Sequence, residues 1–195
     1  MTDPAAESSA LPIPTVGEAD DLGELFARLA GGERAALGEI YDRMARALFG
    51  LALVRSGSRT TAEEAVQETF VRLAASHADL AAVRRPRAYL FASLRSALAD
   101  LQGQEKRTAA LADDEAARLL EPRAGDPLRA VEIERLDAAL RRLSPKLREA
   151  IYLRYLEELS LREVAEATGV PLFTIASRCR LALARLRRLL DGRSR

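Results

Sequence analysis

The chain has 195 residues, of which 48% are hydrophobic, 30% charged and 5% aromatic, and it carries a formal net charge of +1. A chain of this length builds one medium core or two small ones, and its abundant Ala, Leu, Arg and Glu favour helices over strands. Its single cysteine, Cys179, excludes an internal disulfide, and no Cys/His cluster has the spacing of a zinc site, so we expect neither a metal nor a cofactor. The sequence offers no signal peptide and no apolar membrane span, which predicts a cytoplasmic protein without membrane insertion.

The N-terminal half predicts a tail followed by a bundle of helices. Residues 1–20 combine prolines with acidic and small residues, a composition that buries little apolar surface, and they predict a disordered acidic tail. Helical spacing of apolar residues follows, and its longest buried stripe is expected to include Tyr41. A capping-box pattern begins at Thr61, and Pro86 suits the first turn of a later helix. We expect these helices to form one domain over residues 21–107.

The C-terminal half predicts a linker and a second helical domain. Residues 108–127 predict a flexible linker, because glycine, proline and clustered carboxylates replace the helical pattern. Helical spacing returns over residues 128–192, where Ser160 begins a capping-box pattern and Gly169 fits a helix end. The helices on either side of this glycine have the outline of a helix-turn-helix. The sequence therefore predicts an all-α fold of two small helical domains joined by a flexible linker.

The last predicted helix has an apolar stripe and a polar face. The stripe is expected to bury Leu172 and Cys179, which makes Cys179 a core residue rather than a reactive thiol. The opposite face carries hydroxyl and guanidinium groups, which reach phosphates and base edges in a major groove. The residues on this face are Thr174, Ser177, Arg178, Arg185 and Arg188. A basic face is also common on helices that only meet solvent, so DNA binding is one of two interpretations.

A second basic zone lies in the first domain. It consists of Arg84, Arg85, Arg87 and Arg95, with Lys106 and Arg107 further along the chain. Tyr89 and Phe91 are interleaved with these residues, and basic plus aromatic side chains suit single-stranded nucleic acid. The alternative is that Phe91 belongs to the core and the arginines are merely exposed.

An acidic face is predicted on the helix that follows Thr61. Glu63, Glu64, Gln67 and Glu68 line one side of it, opposite the apolar residues. Because an acidic surface repels DNA, this face indicates a protein partner, although charged runs are most often only solvated.

Several segments resemble the extracytoplasmic-function (ECF) group of RNA polymerase sigma factors. Residues 62–73, Ala-Glu-Glu-Ala-Val-Gln-Glu-Thr-Phe-Val-Arg-Leu, are similar to the helix of sigma region two that holds the polymerase β′ clamp helices. Residues 86–91 resemble the start of the helix that melts and reads the −10 element. Residues 143–149 and 160–165 are similar to region four, whose helix-turn-helix reads the −35 element. No segment resembles region three, as is usual in this group.

The resemblance implies a sigma region 2 bundle and a sigma region 4 helix-turn-helix in a non-enzymatic subunit that directs promoter-specific initiation. Its implied partners are the β′ clamp helices and β flap of core RNA polymerase, promoter DNA, and an anti-sigma factor. The residues implied to bind core polymerase are Glu63, Glu64, Gln67 and Glu68. Those implied at the −10 element are Arg84, Arg85, Arg87, Tyr89, Arg95 and Ser96. Those implied at the −35 element are Arg162, Thr174, Ser177, Arg178, Arg180 and Arg185.

The chain departs from the family pattern in its last helix. Phe173 replaces a usual glycine, Ala176 a usual lysine, and Leu181 and Leu183 stand where arginines are common. Leu181 is also expected on the solvent face. These departures predict weaker DNA binding, an unusual target, or an apolar contact with another protein.

Two other functions remain open at this point. One is a sigma-like regulator that binds DNA or protein but does not activate core polymerase, and the other is a plain helix-turn-helix repressor or activator. An enzyme is the least expected class, because the single histidine, His77, has no partner for catalysis. The adjacent carboxylates Asp113, Asp114 and Glu115 lack the alternating spacing of a calcium loop.

Overall fold

The computed structural model describes residues 17–105 and 127–191, and within them the regular structure is helical throughout. The α-helices are α1 (Gly17–Ala30), α2 (Ala35–Ser56), α3 (Arg59–Ala75), α4 (Pro86–Glu105), α5 (Pro127–Arg141), α6 (Pro145–Ile151), α7 (Leu161–Thr168) and α8 (Leu172–Asp191). A 3-10 helix spans His77–Ala82 and a π-helical turn spans Tyr152–Leu156. The prediction of an all-α fold is confirmed. Most of the predicted tail and linker lies outside the described residues.

Helices α1 to α4 form one bundle around a shared apolar core. Its largest fully buried side chains include Phe26, Leu48 and Phe91. Gly57 ends α2 in the left-handed conformation with φ of 74°, and its N–H donates to the carbonyl of Leu53. This conformation favours glycine, so a local signal in the sequence accounts for the turn between α2 and α3.

The start of α3 differs from the prediction. The helix begins at Arg59, and the cap is Ser58, whose hydroxyl accepts a hydrogen bond from the Thr61 N–H at 3.1 Å. Thr61 is itself buried inside the first turn. The capping box predicted at Thr61 is therefore wrong, because Ser58 offers the same kind of acceptor three residues earlier.

Helices α5 to α8 form the second bundle. Ser160 and Glu163 make the complete capping box predicted at the start of α7, and Gly169 ends this helix with φ of 64°. The turn sets α7 against α8 as a helix-turn-helix, with Val164, Ile175 and other apolar side chains buried between the helices. Leu172, however, is half exposed, so its predicted place in the buried stripe is wrong.

Glu158 has a left-handed backbone, with φ of 55°, in the segment between the π-helical turn and α7. Since a side chain with a Cβ is strained there, we expect Glu158→Gly to raise the free energy of unfolding by about 0.5–1 kcal/mol in urea denaturation. The matched change Glu132→Gly, at an exposed position inside α5, should lower it by about 1 kcal/mol. A loss of stability in Glu158→Gly would contradict this account.

The two bundles pack directly on each other, with α7 against α4 and α6 against α2. The side chain of Tyr152 crosses from the second bundle, and its hydroxyl donates to the carbonyl of Ala47 in α2 at 3.1 Å. Gly50 lies beneath this ring, where an added Cβ would overlap the tyrosine hydroxyl. We call this the closed arrangement of the two domains.

Candidate functional site

The acidic face predicted on α3 is formed by exposed and half-buried side chains. Glu63 is paired with Arg59 at 2.9 Å, and Glu68 is paired with Arg72 at 2.7 Å. Arg72 also contacts Asp100 of α4 at 2.8 Å, and the hydrogen bond that Arg72 donates to Glu68 raises the pKa of Arg72. Glu68 therefore helps to hold Arg72 in the position from which it contacts α4.

Glu64 and Gln67 lie on the exposed surface of α3. They occupy the part of the acidic face that is most open to another protein, because Glu63 and Glu68 already have arginine partners on their own helix. The sequence placed all four residues on one face but gave no basis for ranking them.

An apolar cleft of about 720 Å³ opens between α2 and α3 beside the acidic face. Tyr41 and Val71 on its walls are 50% and 56% exposed, and the Tyr41 and Phe70 rings lie 4.9 Å apart between centroids. Glu63 and Gln67 also line it. The expected burial of Tyr41 is therefore wrong, and its exposure together with that of Val71 gives this surface an apolar centre and a polar edge, which is typical of protein interfaces.

The basic zone predicted to bind single strands meets the second domain in the closed arrangement. Arg85 is paired with Glu166 of α7, and Arg87 with Glu157 at 3.2 Å. Arg95 donates to the carbonyl of Thr168 at 2.5 Å, at the end of α7. These arginines are neither free nor simply solvated, since each has a partner across the interface.

The other described residues of the basic zone and of the implied −10 contacts have different surroundings. Arg84 and Ser96 are exposed, and the Ser96 hydroxyl accepts a hydrogen bond from Arg72 at 3.4 Å. Tyr89 is half buried, with its ring edge-on to Phe26 at 6.0 Å between centroids. Phe91 is fully buried, so the interpretation of this aromatic as a core residue is confirmed.

A buried carboxylate lies in the domain interface. Glu149 of α6 is 3% exposed and contacts two arginines of the first domain, Arg55 at 2.8 Å and Arg95 at 2.9 Å. Two positive charges surround one buried negative charge, so removal of the carboxylate would leave the arginines facing each other in a poorly solvated space.

Backbone carbonyls and a second carboxylate complete the interface. The guanidinium of Arg148 donates to the carbonyl of Val54 at 3.1 Å and to carbonyls of its own domain, and burial lowers its pKa. Burial raises the pKa of Glu157, while its contacts with Tyr152 and Arg87 act in the opposite direction. The interface is therefore polar and specific in its geometry.

The predicted −35 residues lie on the helix-turn-helix formed by α7 and α8. Arg162 of α7 and Arg180 and Arg185 of α8 are exposed, whereas Thr174, Ser177 and Arg178 are partly exposed. Arg180 donates to the Ser177 hydroxyl at 3.4 Å. All of these residues except Arg162 lie on α8, so most of the predicted −35 set belongs to one helix.

Cys179 lies on the inner side of α8. It is 4% exposed, its thiol donates to the carbonyl of Ala150 at 3.8 Å, and burial raises its pKa. A buried thiol with a raised pKa is a poor nucleophile, which supports the interpretation of Cys179 as a core residue.

Neither a metal-ligand cluster nor a helix that could span a membrane is found in the part of the chain that the structure describes. Within residues 17–105 and 127–191, no three histidine, cysteine, aspartate or glutamate side chains are grouped to hold a metal ion. No helix in this part of the chain is long and apolar enough to span a bilayer. Asp113, Asp114 and Glu115 lie outside the described residues.

Comparison with known proteins gives consistent matches along both bundles. A family model for Sigma-70 region 2 matches residues 40–108, and a model for Sigma-70, region 4 matches residues 133–186. The ECF RNA polymerase sigma factor SigK of Mycobacterium ulcerans (strain Agy99) is 32% identical over 188 residues, which cover 90% of this chain and 97% of SigK.

Solved structures share the fold. The structure of CnrH in complex with the cytosolic domain of CnrY has 26% identity and a TM-score of 0.63, with coverage of 88% of this chain and 98% of CnrH. The sigma factor RpoE of Bartonella quintana, solved with the anti-sigma factor NepR, has 21% identity and a TM-score of 0.60, and the match covers 93% of this chain and 100% of that chain.

Proposed function

Because the chain belongs to the ECF RNA polymerase sigma factors, we propose which of its surfaces bind each partner of this family. The chain binds core RNA polymerase and promoter DNA and directs promoter-specific initiation through its −10 and −35 contacts. The observation that supports the assignment of surfaces best is that an exposed acidic face with an apolar cleft and an outward basic helix lie on different bundles.

The acidic face and the cleft between α2 and α3 bind the β′ clamp helices of core polymerase. Glu64 and Gln67 supply the exposed polar contacts, and Tyr41, Phe70 and Val71 supply apolar area. Glu63 and Glu68 contribute negative charge while they hold arginines of their own helix. A polar rim around an apolar centre suits an interface that forms and dissociates.

Three of the −10 contacts, Arg85, Arg87 and Arg95, become available only when the domains separate. The −10 and −35 elements lie about 25 base pairs apart, which corresponds to about 85 Å of duplex. In the closed arrangement Arg85 and Arg87 contact the second domain directly. One closed molecule therefore cannot engage both elements, and binding to core polymerase holds the domains apart. Arg84, Arg85, Arg87, Tyr89, Arg95 and Ser96 then face the unpaired strand.

The helix-turn-helix reads the −35 element with α8 in the major groove, while the second domain also contacts the β flap. Thr174, Ser177, Arg178 and Arg180 point toward the bases or the backbone, and Arg162 and Arg185 neutralise phosphates. No catalytic residue, metal or cofactor belongs to this mechanism, since recruitment and strand capture are binding events. The chain acts in the cytoplasm, with the polymerase.

The salt dependence of duplex binding tests the phosphate contact of Arg185. Full-length protein with Arg185→Ala should bind a duplex more weakly and show a slope of log affinity against log salt that is smaller by about 1. The control Arg34→Ala removes an exposed arginine from the first domain and should leave the slope unchanged. Equal slopes for both variants would remove Arg185 from the DNA surface.

An anti-sigma factor holds this chain inactive by covering the acidic face and the DNA-reading helices of both domains. The support is by analogy, since the related RpoE fold was solved with the anti-sigma factor NepR. Purification of the endogenous protein with a stoichiometric inhibitory partner is the expected result. Recovery of free, fully active protein would count against it.

A sigma-like regulator that binds a promoter or protein without activating polymerase is the second candidate. Phe173 and Leu181 favour it, because they are exposed apolar residues on the DNA-reading helix. A plain helix-turn-helix regulator would leave the acidic face and its cleft without a partner. Transcription by core polymerase separates these candidates from a sigma factor.

A further inference from the structure

Four large apolar side chains of α8 are exposed, Leu172, Phe173, Leu181 and Leu190, and two of them, Phe173 and Leu181, lie on the side away from the core. Phe173 is 78% exposed and Leu181 is 45% exposed, and Ser177 lies midway between them in sequence. A spacing of four residues places all three on one side of a helix, with about 12 Å between the first and the last at 1.5 Å per residue. We call these residues the apolar line of α8.

The apolar line lies opposite the core of the second domain. Ile175, Cys179, Ala182 and Leu186 are buried on the other side of α8, so the line cannot be explained by packing within this chain. Phe173 also stands in the first turn of the helix, and the N-terminal residues of a recognition helix are those that reach base edges. The position therefore matches a surface that enters a groove.

The charges around the apolar line favour a polyanion as the occupant. Arg180, Arg185 and Arg188 are exposed beside it, and within the described part of the chain none of their guanidinium groups is paired with a carboxylate. Duplex DNA combines phosphates at the rims of its major groove with one apolar group on the base edges, which is the C5-methyl of thymine. Arginines at the sides and apolar residues in the middle match that arrangement.

We infer that Phe173 and Leu181 read thymine methyl groups in the upstream promoter element. This inference rests on the proposed function, and it names the chemistry by which the helix chooses its target. The length of the apolar line corresponds to about three or four base pairs at about 3.4 Å each, so the two thymines are separated by that distance. The Ser177 hydroxyl faces the bases between them.

The experiment uses full-length protein bound to core polymerase and a pool of random duplexes. The enriched duplex is then synthesised with deoxyuridine at single thymine positions, which removes the methyl group and keeps the base pair. We expect uracil at two positions to weaken binding by about fourfold each, the effect of failing to bury one methyl group. In Phe173→Ala the penalty should vanish at one position, and in Leu181→Ala at the other.

Leu190→Ala is the matched control, because it removes an exposed leucine from the far end of the same helix and should keep both penalties. Equal binding of thymine and uracil duplexes by the unmodified protein would overturn the inference, as would penalties that persist in both variants. Loss of core binding in Phe173→Ala or Leu181→Ala, with DNA discrimination unchanged, would assign the line to a protein contact instead. Failure to enrich any duplex while core polymerase is bound would overturn the proposed function itself.

Discussion

Replacement of Glu149 by alanine is expected to open the two domains of the free protein. The carboxylate is almost fully buried between Arg55 and Arg95, and removal of one partner from a buried charge cluster costs several kcal/mol. Because both arginines are about a quarter exposed, we expect about 2–4 kcal/mol, which shifts the equilibrium from closed to open by roughly 30- to 700-fold. Both ion-pair partners of Glu149 lie in the first domain, so the substitution removes no ion pair within the second domain. The second domain itself should therefore stay folded.

Small-angle scattering measures this opening as an increase in the radius of gyration. A second readout is the affinity for a single-stranded oligonucleotide. The open variant should bind it more tightly than the unmodified protein, because Arg85, Arg87 and Arg95 lose their partners in the second domain. Unfolding of the variant would instead weaken this binding. Glu132→Ala, on the exposed side of α5, is the matched control and should change neither quantity. An unchanged radius in Glu149→Ala would show that this cluster does not hold the domains together.

Gly50→Ala tests the same interface without altering a charge. Alanine is a better helix former than glycine, so α2 should become more stable, yet the new methyl group would overlap the Tyr152 ring that packs across the interface. We therefore expect a larger radius of gyration together with an unchanged or higher melting temperature of the first domain. A compact Gly50→Ala protein would place Tyr152 elsewhere in solution.

Combined replacement of Glu64 and Gln67 by alanine is expected to weaken binding to core polymerase by at least about tenfold. Each polar contact to a partner contributes about 0.5–1.5 kcal/mol, so the loss of both costs up to about 3 kcal/mol. Both residues are exposed and have no structural role on α3. The measurement is a titration of core polymerase with labelled protein. Duplex binding by α8 should be unaffected, which separates this loss from unfolding.

The contrast with Glu68 makes this test specific. Glu68→Ala removes the partner of Arg72, which also contacts Asp100, so it should lower the stability of the first domain as well as core binding. Val71→Asp places a charge in the cleft between α2 and α3 and should weaken core binding while α3 remains folded, since Val71 is 56% exposed. Full core binding by both Val71→Asp and the Glu64, Gln67 double variant would exclude this face as the polymerase contact.

Local signals explain what the sequence predicted well. Gly57 and Gly169 end helices because their positive φ favours glycine, and the Ser160 capping box satisfies backbone groups within three residues. The error at Thr61 has the same local origin, since two nearby hydroxyl residues compete for one cap and Ser58 takes it. Helix ends are readable from sequence when one residue alone can satisfy them.

No local pattern in the sequence predicts contacts between residues that are far apart in the chain. Glu149 meets Arg55 and Arg95 across the domain interface, and neither helical periodicity nor charge spacing relates positions so far apart in the chain. The cleft beside the acidic face was also missed, because Tyr41 fits a buried helical stripe and only its exposure reveals the surface. The sequence identified the candidate residues, but the closed arrangement that pairs the arginines depends on tertiary packing.

Transcription in vitro shows whether this chain directs promoter-specific initiation by core polymerase. Bacterial core polymerase is incubated with a genomic DNA pool, with the unmodified protein, with the Glu64→Ala, Gln67→Ala variant, or alone. We expect discrete new start sites that require the protein and are lost in the variant, each preceded by shared sequences near −10 and −35. Stable binding to core polymerase or DNA without any new transcript would contradict it and identify a sigma-like regulator instead.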